Sequence, residues 1–236
     1  MEQTGRRIEL MDAMRGFAIF VMIAHHILYD LCAFCGLPWS WFTSPGADAL
    51  HYVSAVTFII LAGVSSHFSH SNVRRGLRAL VIALGITLVT TLMGMPVRFG
   101  VLHMLGTCMV LYGLTQRFWQ RLNPWALLAL CVVGALATWK LELGYPTTVP
   151  HLWMFGLTTP EFYSSDYFPL LPWAFVFLFG TWAGPCVRDG RLPQWFYTAK
   201  APFLAAVGRK SMLIYVVHQP VLYALTMLGL WIHRTI

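Results

Sequence analysis

The sequence predicts an all-α fold, a polytopic integral-membrane bundle of about seven helices with a cytoplasmic amino terminus, read as one domain over residues 1–236. Three observations predict it. Hydrophobic residues make up 58% of the chain and charged residues 11%, against about 45–50% and 25% in soluble domains. Several windows of about 20 residues are nearly free of charge, the length of apolar helix that crosses a bilayer. The basic residues also alternate between sides. Arg6, Arg7, Arg74, Arg75, Arg78, Arg117, Arg121, Arg188, Arg191, Lys200, Arg209 and Lys210 fall on one side, 12 of the 16 in the chain. Arg98, Lys140 and Arg234 fall on the other, and Arg15 lies inside the first span. The side richer in Lys and Arg is expected to be cytoplasmic. The same bias accounts for the formal charge of +7, so nucleic-acid binding is excluded as its explanation.

The predicted spans are 12–35, 48–68, 79–95, 100–117, 124–142, 168–187 and 209–231. The first is expected to stay on the protein, because it is too long and too polar for the apolar core of a signal peptide and no A-x-A site follows. It carries Asp12, Arg15, His25, His26 and Asp30. Polar groups in hydrocarbon lose hydration that lipid does not replace, so they face a protein interior, a cavity or a pathway. At about 100° per residue, Arg15 and His26 lie roughly 20° apart, with Asp12 and Asp30 within about 60° of them. These four form one polar stripe, and His25 points elsewhere. Cys32 and Cys35 are i, i+3 on a helix and read as small apolar residues, since no second pair completes a metal set.

Between the first two spans, Trp39, Trp41 and Phe42 read as interface anchors. Gly63, Ser65 and Ser66 in the second span are small enough for close helix contact. Arg74, Arg75 and Arg78 follow it, serving topology or binding an anionic headgroup or phosphorylated ligand. Arg98 reads as a snorkelling interface residue, and His103 opens the fourth span. The loop 143–167 is rich in aromatic residues and proline, which suggests a folded cap more than a tether. In the last span Tyr215, His218 and Gln219 are polar, and Pro220 frees the Val216 carbonyl.

Asp12-Ala-Met-Arg15-Gly16 followed by His26 resembles the opening of the integral-membrane acyltransferases. Within them the chain most resembles the heparan-α-glucosaminide N-acetyltransferase catalytic-domain family and its small bacterial members. FIILAGVSS (58–66), VRFGVLHMLG (97–106), FPLLPWAFVFLFG (168–180) and GRKSMLIYVVHQP (208–220) extend the resemblance over nearly the whole chain, in the family's order. It implies transfer of an acyl group, typically acetyl from acetyl-CoA, to an amino or hydroxyl group, often on a sugar. The partners implied are an acyl-CoA donor, a sugar or envelope acceptor and the lipid bilayer of a bacterial inner membrane; a homo-oligomer is compatible with it. Lysosomal members have asparagine at the place of His26 and glutamine at that of His103. Their first luminal loop carries a histidine, where residues 36–50 here have none and His51 is offset. These departures weigh against glucosamine as the acceptor.

The residues suit this chemistry independently. Acyl transfer from a thioester needs a base for the acceptor's proton and donors for the tetrahedral oxyanion. His26 is the base candidate, with Asp30 one turn on to orient or stabilise its ring. His103 and His218 are candidates for a second base, an oxyanion donor or an acyl carrier. Arg15, Arg74, Arg75 and Lys210 are candidates for the phosphates of coenzyme A, though Arg15 also stands one turn from Asp12 and can pair with it. No metal is expected. A proton-coupled transporter and a non-catalytic membrane subunit are the competing readings, since buried His and Asp also build proton relays.

Overall fold

In the computed structural model, described here for residues 7–235, every predicted span is a helix. They are α1 (Glu9–Phe34), α2 (Pro45–Val64), α3 (Asn72–Leu92), α4 (Val101–Trp119), α5 (Pro124–Thr138), α6 (Leu170–Arg188) and, after the short α7 (Gln194–Thr198) and α8 (Pro202–Arg209), α9 (Ser211–Thr235). Six of these, all but α4 among the long ones, are long and apolar enough to cross a membrane when α2 is taken on to His67 and α5 to Leu141 through the 3₁₀ turns that follow them. The chain is an all-α, polytopic integral-membrane protein. Arg6 lies outside the described residues.

The largest boundary shift is at α3. Arg74, Arg75 and Arg78, expected in a loop, occupy its first two turns. Ser71 explains the early start: it is the N-cap, and its side chain accepts a hydrogen bond from the Arg74 backbone N–H, satisfying a donor that the helix itself leaves open. Asn123 does the same for α5, with Pro124 in the first turn.

The chain forms two compact units. The first holds residues 7–58 and 192–235: α1, the first part of α2, and α7 to α9. Its interior is built on Met11, Ala13, Ala18, Ile19 and Met22 of α1 with Ala205 of α8, all buried. Gly16 and Gly208 set the spacing. A Cβ on Gly16 would run into the Leu204 carbonyl, and one on Gly208 into the Asp12 carbonyl. In a membrane there is little hydrophobic drive between helices, so such backbone-to-backbone contact is a main source of association. Ser54 of α2 adds a hydrogen bond to the Ala18 carbonyl at 3.1 Å.

The second unit, residues 59–191, holds the end of α2 with a 3₁₀ turn (Ser65–His67), then α3 to α6. Trp173, Phe177, Met104 and Ile59 are fully buried in it, whereas Leu84, Leu88 and Leu92 of α3 are exposed, as lipid-facing side chains should be. The 143–167 loop is ordered within this unit. It pairs β1 (Tyr145–Pro146) with β2 (Leu157–Thr158) in parallel, and the Tyr167 hydroxyl donates to the Trp153 carbonyl at 2.6 Å. Burial pushes the Tyr167 phenol up to about 12. Arg98 lies 5.8 Å from the centroid of Phe162, a cation–π contact.

Candidate active site

The polar stripe of α1 divides into two clusters in the first unit. Near the start of the helix, Asp12 is 2% exposed. It accepts from the Arg15 guanidinium at 2.7 Å and pairs with Arg7 as well. A carboxylate so buried needs such partners, because an unpaired charge there would lose its hydration without return. Asp12, Arg15 and Gly16 thus build the start of the fold: a compensated charge cluster and a close seat for α8.

Farther along, α1 and α9 bring His26, Asp30, His218 and Gln219 together. The His26 and His218 rings stand edge to face with centroids 4.7 Å apart. Nδ1 of His26 is 2.9 Å from the Met22 carbonyl oxygen, and Nδ1 of His218 is 2.6 Å from that of Tyr215. A carbonyl only accepts, so each Nδ1 carries the proton and each neutral ring keeps its Nε2 lone pair. That is the tautomer a base requires. Asp30 does not orient His26; Met22 does. Asp30 is 1% exposed, and its Oδ1 instead accepts from Gln219 Nε2 at 2.9 Å.

Three atoms of this cluster, Asp30 Oδ2, Gln219 Oε1 and His218 Nε2, are buried and have no hydrogen-bond partner among the described residues. All three are acceptors. Buried polar groups are normally paired, and a set of orphans of one kind marks a place where a complementary group binds. That complement is rich in donors. Among the described residues no group of three or more His, Cys, Asp or Glu side chains is placed to hold a metal ion.

His25 is on a different face of α1, as the helix phase predicts. Its ring lies 5.8 Å from that of His26, 5.4 Å from that of His51 on α2 and 4.8 Å from that of Phe42, centroid to centroid. The sequence carries no signal for this, because His51 meets His25 only through the turn between α1 and α2.

A model of the family described as heparan-alpha-glucosaminide N-acetyltransferase, catalytic, matches residues 7–220. The chain belongs to this family. It is a membrane acyltransferase-type protein, and the matched range contains both clusters of α1 and reaches the His218–Pro220 turn of α9. No curated protein and no solved structure gives a significant match.

The remaining candidates of this acetyltransferase-family chain fall in several places. Lys210 is exposed between α8 and α9 in the first unit. His103, Arg74 and Arg75 belong to the second. Thr87 spends its hydroxyl proton on the Val97 carbonyl at 2.6 Å, so His103 Nε2, 3.1 Å away, is the donor to Thr87. Nδ1 then accepts from the Gly100 N–H at 3.3 Å. Both nitrogens are engaged in holding the start of α4. Arg75 donates to the Ala62 carbonyl at 2.7 Å, closing the end of α2, while Arg74 is exposed.

The second unit also holds a cavity of about 340 Å³ lined by His67, Tyr112, Trp119, Thr181, Trp182 and Arg188, among others. His67 Nε2 donates to the Thr181 carbonyl at 2.8 Å. Arg188 hydrogen-bonds Asp189 at 2.9 Å and holds its carboxyl below the usual carboxylate range. In the sequence His67 sits in a run of small residues that reads as packing.

Proposed function

We propose that this protein moves an acyl group, acetyl in the first instance, from acyl-CoA to an amino or hydroxyl group of a sugar or other envelope component in a bacterial inner membrane. The observation that carries this reading is the α1–α9 cluster: two imidazoles with free Nε2 lone pairs beside buried acceptors that lack a donor. His26 takes the proton of the attacking group at Nε2. The same ring then returns that proton to the departing thiolate, and His218, with its own Nε2 lone pair beside it, is the second base of the pair. Asp30 and Gln219 present acceptor oxygens to a donor-rich group, an ammonium or a set of sugar hydroxyls.

The donor's phosphates call for cations at the basic ends of the helices. Lys210, in the same unit as His26, is exposed and makes no ion pair among the described residues, so it is the better placed candidate for a phosphate. Arg15 is held by Asp12 and Arg75 by the Ala62 carbonyl.

The test uses purified protein in proteoliposomes with acetyl-CoA and envelope extract, following free thiol. Acceptor-dependent CoA release that His26→Ala abolishes is the expected result. Uptake of solute with no CoA release would replace this reading with a transporter, and neither signal would leave a non-catalytic subunit.

A further inference from the structure

Four of the chain's nine histidines form one series in the first unit: His51, His25, His26 and His218, drawn from α2, α1 and α9. The successive ring centroids are 5.4, 5.8 and 4.7 Å apart. Packing alone does not call for this. Leucine or phenylalanine fills such space without polar nitrogens to satisfy, and ionisable side chains inside a membrane mark pathways. We propose that His25 and His51 form a proton path between His26 and water on the side of the loop joining α1 and α2. The path serves the acyl transfer proposed above and rests on that reading.

The proton balance gives the path its job. An amine reaches a neutral solution as ammonium. On acylation two N–H bonds of the nitrogen break, the N–C(acyl) bond forms and the C–S bond of the thioester breaks. The sulfur leaves as thiolate and takes one proton to become thiol. The second proton has to reach water. A hydroxyl acceptor loses one proton, which the thiolate takes, so nothing is left over and the path stays idle.

Imidazole suits the task because it accepts at one nitrogen and releases from the other near neutral pH. Ring centroids this far apart leave room for one bridging water between neighbours, across which a proton passes. Aromatic rings border the series. Phe42 covers His25, and Tyr29 and Trp39 pack edge-on against Phe42. Tyr52 borders His51. The other charged groups nearby are Asp30, tied to Gln219, and Asp48, exposed one turn before His51 on α2. Asp48 gives the outer end of the path a carboxylate next to water.

The experiment compares acetyl-CoA turnover on glucosamine, as the amine probe, with turnover on glucose, as the hydroxyl probe. It uses the full-length protein in detergent and the variants His25→Ala, His51→Ala, His51→Gln and His51→Phe. His51→Ala should lower turnover on glucosamine on the order of tenfold and leave glucose unchanged. Added free imidazole should restore the glucosamine rate of His51→Ala in a concentration-dependent way and do nothing for His51→Phe, whose ring fills the gap. His51→Gln keeps the polarity and reports whether the fold tolerates the change, read as a monodisperse elution profile. The path is overturned if His51→Ala and His25→Ala keep the wild-type glucosamine rate, lose both substrates equally, or gain nothing from imidazole. It is also overturned if the wild type acylates glucose but not glucosamine, although acyl transfer itself then stands. Wild-type protein that releases no CoA with either acceptor sinks acyl transfer and the path together.

Discussion

His26 and His218 owe their readiness to two backbone carbonyls. Met22 and Tyr215 take the Nδ1 protons, which leaves both Nε2 atoms as acceptors. His26→Ala should therefore lower transfer on the order of 10²–10⁴-fold while the protein still inserts and elutes as a single species; a loss of folded protein in parallel would make the ring structural. Gln219 has a different task. It supplies the hydrogen bond to Asp30, and a bond to a charged group contributes about 1.5–3 kcal/mol. Gln219→Leu should raise the acceptor's KM about tenfold or more and leave the KM for acyl-CoA near wild type, as steady-state kinetics with each substrate varied in turn will read. Equal changes in both constants would place Gln219 in general packing. The helix phase identified Asp30 and His26 as neighbours on one stripe, but their partners, Gln219 and Met22, were not legible there. One comes from a helix nearly the whole chain away, the other from the backbone.

At the scale of elements, the D-x-x-R-G stretch opens the fold. Asp12 sits between two guanidinium groups and Gly16 lies against α8. Asp12→Ala should lower the thermal midpoint, since it removes the buried carboxylate that the Arg7 and Arg15 guanidinium groups share. Arg15→Ala should be destabilised too, and adding Asp12→Asn should recover part of that loss. Thermal midpoints in one detergent measure both, and simple additivity of the two changes would show that the pair does not couple. Gly208→Val forces side-chain volume into the Asp12 backbone, and overpacking of this kind costs about 1–3 kcal/mol or more; an unchanged midpoint would mean that α8 can shift away from α1 freely. The start of α3 is the element the sequence misplaced. Ser71 was the available signal, a cap residue directly before the basic run, but hydropathy alone begins the helix only where the arginines end.

At the scale of the whole molecule, the distribution of basic residues, 12 on one side against 3 on the other, predicts the sides of the loops. Reporter fusions after Ala47 and near Ser164 should read exterior, and fusions near Arg75 and Arg191 cytoplasmic. A reversed pattern would put the His51 end of the histidine series on the cytoplasmic side and require the donor to enter from the other. Lys210→Ala should raise the KM for acyl-CoA a few-fold, an effect that shrinks as salt is added because exposed charges are screened within about 8–10 Å. Salt-independent losses would point to fixed contacts in the fold.

The sequence by itself determined the fold class, the seven long helices, the family and the polar stripe of α1. The family rests on motifs spread over nearly the whole chain, and the others on composition and on residues within one helix, where a rise and a turn angle suffice to relate neighbours. Only the tertiary structure decided what the stripe does. It divided the stripe into a charge cluster that seats α8 and a histidine site completed by α9, gave His103 two structural hydrogen bonds, and joined His25 to His51. Each of those outcomes depends on a contact between residues far apart in the chain, and helical periodicity carries no information about which distant face a side chain will meet.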